Sequence, residues 1–224
     1  MVKLLKKDKE PFFASYIPPV MGQMGVLVFQ EIMIMILGHA GCVYIILDIN
    51  LMIAISIQVE ILKDILTEVA DIDGIIQCIK RYEQIIRLVE NVQHIFRVGM
   101  SIHFLTGILI FCTTLFKLME VEVDYSQCTF LIPYSFAIIS ILFNHCWFGN
   151  DIIYRSSDLT HAIFRSRWVG SKLSTQKTLI LFMAFTKKPL SINLASGLFT
   201  MAIPVFVSVC RTAYSFFTIL QKFK

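Results

Sequence analysis

Five histidines, six cysteines and a few acids buried in apolar sequence are the residues of this chain whose types could do chemistry. His39, His94, His103, His145 and His161 show no HExxH or other metal-ligand spacing, and neither a GxSxG elbow nor a phosphate-binding P-loop occurs. Enzymatic chemistry is therefore not expected, and no cofactor or metal is called for. Cys42, Cys78, Cys112, Cys128, Cys146 and Cys210 form no CxxC pair and mostly sit in apolar runs, which suits small buried thiols better than a zinc or disulfide framework. What remains is a set of ionisable groups in greasy surroundings. For His39 and His103 a neutral imidazole bonded inside a helical bundle is favoured over a proton relay. Glu31 and Asp48 read as solvated ends of an apolar run, and Arg211 is costly in lipid unless it faces protein or water.

The elements that must hold these groups are membrane elements. Hydrophobic residues make up 56% of the 224 and charged residues 16%, with a mean hydropathy of +0.72, against roughly 25% charged residues in soluble domains. A soluble globule of this size cannot hide so much apolar surface, and the abundance of isoleucine, leucine and phenylalanine excludes disorder. The net charge of +4 is mild, so no nucleic-acid partner is expected. The opening MVKLLKKDKEPFFASYIPP has no uninterrupted apolar core and is a poor signal peptide.

Crossing about 30 Å of hydrocarbon takes roughly twenty helical residues, and four stretches qualify. The expected fold is all-α, a polytopic membrane bundle of four transmembrane helices with cytoplasmic helical extensions. Residues 1–23 form an extracellular segment. Residues 24–59 hold the first span, centred on Ile32 to Ile55, and its inner extension. Residues 60–97 make a cytoplasmic helical hairpin and 98–116 the second span. A short extracellular loop, 117–128, leads to the third span at 129–150. Residues 151–188 carry cytoplasmic helices, 189–221 the fourth span, and 222–224 the extracellular end.

Lysine and arginine set the orientation. Lys63, Lys80, Arg81, Arg87 and Arg97 lie in the first long loop. Arg155, Arg165, Arg167, Lys172, Lys177, Lys187 and Lys188 lie in the second. Both loops are thus placed in the cytoplasm, although Lys3, Lys6, Lys7 and Lys9 at the start argue the other way. Within the first loop Ile75, Ile79, Tyr82, Ile86 and Val89 form a helical stripe, with Gly74 as the break between two helices. In the second, the third span continues through SDLTHAIFRSRW, turns at Gly170 and Ser171, and resumes as a helix near 175–185. Such stripes need cover, either within the chain or from another subunit. Pro204 should interrupt hydrogen bonding and bend the last helix.

One string is more specific than any of these patterns. Residues 144–169, NHCWFGNDIIYRSSDLTHAIFRSRWV, are followed by KTLILFMAFTKKPLSI and FTMAIPVFVSVCRTAYSFFTIL. Together they resemble the C-terminal signature of insect odorant receptors. The likeness rests on Cys146, Trp147, Gly149 and Asn150, then on Ser157, Leu159, Ala162 and Trp168. It continues in Lys188-Pro189-Leu190 and in the run from Thr212 through Tyr214 to Thr218. A weaker likeness covers EPFFASYIPP and DINLMIAISIQVEILKDIL, so the four spans correspond to the last four of seven, as in a fragment or a short product.

The resemblance implies a subunit of an odorant-gated, non-selective cation channel in the plasma membrane of a sensory neuron dendrite. Its partner would be a co-receptor subunit in a hetero-oligomer, read as a tetramer, its solvent membrane lipid and its ligand a small volatile hydrophobic molecule. By the same resemblance the last span lines the pore, with Ile219 at the constriction, Gln221 and Phe223 near the outer mouth and Ser215 close by. A ring of apolar side chains there can gate by dewetting. Trp147, Asn150, Leu159, Trp168, Pro189 and Tyr214 belong to the subunit-anchor motif. An apolar odorant cavity would draw on Met33, Met35, Leu37 and His39 of the first span and Tyr134, Phe136 and Ile138 of the third. The competing readings are a non-functional truncated product and a four-span scaffold or transporter; for the latter only His39, His103 and Arg211 offer a polar midplane.

Overall fold

The structure, a computed structural model, describes residues 23–69, 71–118, 125–166, 168, 170–194 and 199–222. In chain order these form α1 (Gln23–Glu68), α2 (Ile72–Leu118), α3 (Tyr125–Arg165), α4 (Leu173–Thr186), β1 (Asn193–Leu194), β2 (Phe199–Thr200) and α5 (Ile203–Lys222). Among the described residues the fold is all-α apart from one short antiparallel ribbon, in which Asn193 faces Thr200 and Leu194 faces Phe199. The chain divides into two compact units, Met1–Asp48 and Ile49–Lys224.

Three helices, α1, α2 and α3, are long and apolar enough to cross a bilayer. Each outlasts its apolar stretch, because the sequence passes from continuous hydrophobicity to a striped pattern without a helix breaker between the two. In the second unit the stripes follow one rule. Buried residues on α1 are Met52, Ile55, Val59, Leu62 and Leu66; on α2 they are Ile75, Cys78, Tyr82, Ile85, Val89 and Val92. Steps of three and four alternate, which is the 3.5-residue seam of helices packed side by side. Ile152, Leu159 and Ile163 of α3 join the same core, and α4 covers it with Leu179 and Phe182. The Phe182 ring meets Tyr82 edge-on, with centroids 5.6 Å apart and planes at 72°.

The seam shifts the expected stripe. Cys78 and Ile85 are buried, while Ile79 and Ile86 are only partly so. Apolar side chains stand at 78, 79, 85 and 86 alike, and the neighbouring helices decide which of each pair faces inward. The helix break also moves. Ile75 N–H donates to Asp71 C=O (3.1 Å), so α2 is already under way at Gly74. Gly74 serves close packing instead: a Cβ there would lie 2.8 Å from Val69 Cγ1.

The last helix begins later than expected. It covers 203–222 rather than the whole of 189–221, and the preceding stretch contains the ribbon. Two prolines bracket that stretch. Pro189 disfavours helical geometry at Lys188, and Pro204 sits in the first turn of α5, where its missing N–H costs no helical bond. Pro204 therefore starts this helix and does not bend it. Asp48, expected to be a solvated end, is fully buried, whereas Glu31 is exposed as expected.

Candidate functional site: the last helix and its supports

α5 is the helix whose two faces differ most in character. Ser208, Arg211, Thr212 and Ser215 recur at intervals of three and four, so they share one side, and all four are exposed. Each hydroxyl is turned onto its own helix: Ser208 donates to Pro204 C=O, Thr212 to Ser208 C=O and Ser215 to Arg211 C=O, each at 2.9 Å. With the protons held this way, the oxygen lone pairs are what the stripe presents outward. Val205, Phe206 and Val209 pack instead against the core, and Ala213 is buried.

Several contacts fix where α5 starts. A Cβ on Gly149 of α3 would press on the Met201 carbonyl oxygen and lie 2.6 Å from Met201 Cβ, so only glycine lets the two segments meet. Met201 N–H donates to Ile192 C=O (2.9 Å), Thr200 Oγ1 donates to Asn193 Oδ1 (2.9 Å), and Leu190 N–H donates to buried Ser156 Oγ (2.9 Å). The chain between α4 and α5 is thus clipped to α3 at both ends.

A second support is electrostatic, and sequence reasoning missed it because its members looked like loop charges. Arg155 reaches Asp151 on its own helix (2.8 Å) and Glu60 of α1 (3.0 Å); Lys63 bridges Glu60 (2.6 Å) and Asp158 (3.5 Å). Hydrogen bonding to Glu60 raises the Lys63 pKa above the usual lysine value, and bonding to Asp151 does the same for Arg155. Both stay charged at any physiological pH. The spacing of Asp151, Arg155 and Asp158 along one helix face was the signal available.

The expected anchor residues divide. Leu159 is buried in the seam, and Trp147 and Asn150 line a small cleft against Ile203 of α5. Trp168 turns back on α3, where its indole N–H donates to Phe164 C=O (2.9 Å). Pro189 is exposed beside the clipped Leu190, and Tyr214 is exposed on α5. Ile219 and Gln221 lie on the α5 backbone with their side chains outside the described part, and Phe223 lies outside the described residues altogether.

The expected ligand residues are not gathered by the described part of the chain. In the first unit Met33, Met35, Leu37 and His39 are exposed, the His39 Nδ1 bonding its own helix at Met35 C=O (2.7 Å). In the second unit Tyr134 and Phe136 are exposed and Ile138 packs on the core. A largely apolar cavity of about 480 Å³ lies elsewhere in that unit, between α2, the ribbon and α5. His103 of α2 and buried His145 of α3 face each other with ring centroids 6.0 Å apart. Cys42, Cys78, Cys112, Cys146 and Cys210 are free thiols.

Comparison with known proteins agrees with this architecture. The family described as 7tm Odorant receptor matches residues 5–214. "Odorant receptor Or2" of Anopheles gambiae is 26% identical over 65% of this chain and 38% of its own length. "Odorant receptor 10" of Aedes albopictus is 28% identical over 66% and 39%. The chain thus spans under two-fifths of the length of these curated relatives. Among solved structures, the insect olfactory receptor OR5 from Machilis hrabei in complex with eugenol has the same fold. It superposes with a TM-score of 0.81 at 18% identity, over 94% of this chain and 56% of that one. The family is one of receptors and not of enzymes, and the chain, a multi-pass membrane protein, belongs to the insect odorant receptor family.

Proposed function

We propose that this chain is the C-terminal, pore-bearing part of an odorant receptor subunit that works with a co-receptor subunit as an odorant-gated, non-selective cation channel. It acts in the plasma membrane of a sensory neuron dendrite. α5 is the fourth crossing helix, and its twenty residues give about 30 Å of length. The observation that carries this reading is the exposed polar stripe of α5, whose hydroxyls donate to their own helix and leave oxygen lone pairs free to meet a cation. Ile219 follows Ser215 by four residues on the same side and is the constriction, with Gln221 and Phe223 beyond it. Both basic loops lie in the cytoplasm, and the stem built from α1 to α4 joins the subunits. Met33, Met35, Leu37, His39, Tyr134, Phe136 and Ile138 contribute to an outer-half odorant cavity completed by further spans. The ligand is a small volatile hydrophobic molecule.

Odorant-evoked cation current from cells expressing this chain with a co-receptor, alone or preceded by three upstream spans, tests the proposal. Current in either form supports it. Replacing Ile219 by Gln should raise resting leak in the conducting form, and Arg211→Gln should raise cation conductance by removing a fixed positive charge from the stripe. Unchanged leak removes Ile219 as the gate; unchanged conductance takes Arg211 away from the ion path.

A further inference from the structure

The cavity beside α5 is partly open, with Leu105, Phe199, Ser208 and Thr212 of its lining exposed, and its deeper walls are defined. α2 forms one wall with Phe104, Ile108 and Cys112; the ribbon closes one end with buried Leu194; and α5 forms the other wall with Val209 and Ala213. Its volume of about 480 Å³ falls within the roughly 300–1,000 Å³ of small-molecule sites. Among the described residues no charged side chain lines it. Its three hydroxyls bond their own helices, Ser101 to Arg97 C=O (2.7 Å), Ser208 to Pro204 C=O and Thr212 to Ser208 C=O, so none of these protons demands a polar occupant.

We propose that this cavity is a second small-molecule site, separate from the outer-half residues of the odorant cavity. It takes a small, neutral, largely hydrocarbon molecule with at most one hydrogen-bond donor. Burial of apolar surface supplies the affinity, and the hydroxyl lone pairs can accept a single phenol or alcohol proton. The site lies toward the start of α5, next to the ribbon, and so at the cytoplasmic end of that helix in the topology above. Ser208 and Thr212 belong both to the cavity and to the polar stripe. Occupancy therefore bears directly on the position of α5. This last consequence rests on the reading of α5 as the pore helix; binding itself does not.

Binding is tested on the full chain in lipid nanodiscs with aminoanthracene, a small aromatic amine whose fluorescence rises in apolar surroundings. The expected result is saturable binding that Val209→Phe weakens about tenfold or more by filling the space, with Val43→Ala on the exposed stretch of α1 without effect. Ser208→Leu fills the same space from a neighbouring turn and should act alike, which covers the case in which the bulkier variant does not fold. The probe should also slow modification of Cys112 by a small thiol reagent. A signal that never saturates and grows with lipid content assigns the space to acyl chains and overturns the proposal. So does unaltered affinity in the filling variants that fold, or a Cys112 rate indifferent to the probe. Because no current is recorded, a negative outcome here leaves the pore assignment to its own test.

Discussion

α1 passes through two different worlds along its 46 residues. Between Val28 and Leu47 nearly every large apolar side chain is exposed, among them Ile36 at 57% and Val43 at 65%. From Ile49 onward the apolar positions sort themselves: Met52, Ile55, Val59, Leu62 and Leu66 are buried, and Glu60 and Lys63 between them hold ions on α3. Lipid asks only that a helix be apolar all round, so the first stretch carries no phase. Water asks for an inside and an outside, so the second carries a 3.5-residue one. The stem is thus where specific side chains decide stability, and the exposed stretch is where composition does.

Substitutions can test that contrast directly, each read as thermal unfolding of the purified chain in nanodiscs. The largest effect is expected from Phe182→Ala, which removes the buried ring against Tyr82 and should cost about 3–5 kcal/mol. Gly149→Ala forces α3 away from Met201 and should cost about 1–3 kcal/mol. Ser156→Ala leaves the Leu190 N–H without its acceptor and should cost about 1 kcal/mol or a little more. Lys63→Met should cost under about 1 kcal/mol, since its partners are part-exposed and Arg155 still holds Glu60. Val43→Ala in the exposed stretch should stay within about 0.5 kcal/mol. A Val43→Ala loss as large as that of Phe182→Ala would show that the first stretch is packed by protein and erase the contrast.

The helices beyond the spans were legible for a reason visible in particular residues. Ser171 and Gly170, with φ of 87° at the glycine, mark the turn before α4, and the helix read near 175–185 is α4 at 173–186. The start of α5 was not legible, because an uncharged run from Leu190 onward has the same hydropathy whether or not its backbone is helical. Pro204 was misread for a related cause: a proline stops one helix and starts another with equal ease, and only its place in the first turn tells which. Of the site, the polar spacing at 208, 211, 212 and 215 could be read from the sequence; the cavity beside it could not.

By itself the sequence determined the solvent, the helical class, the family and the absence of catalytic motifs, since these depend on composition and on residues close together in the chain. The tertiary structure decided which of two adjacent apolar residues faces inward, why Gly149 must be glycine, which loop charges meet as ion pairs and where space remains between α2 and α5. Those are relations between residues some 50 to 100 positions apart, as with Gly149 and Met201 or Glu60 and Arg155. Side-chain packing and Coulomb attraction act over a few ångströms of space, and distance along the chain does not fix that separation.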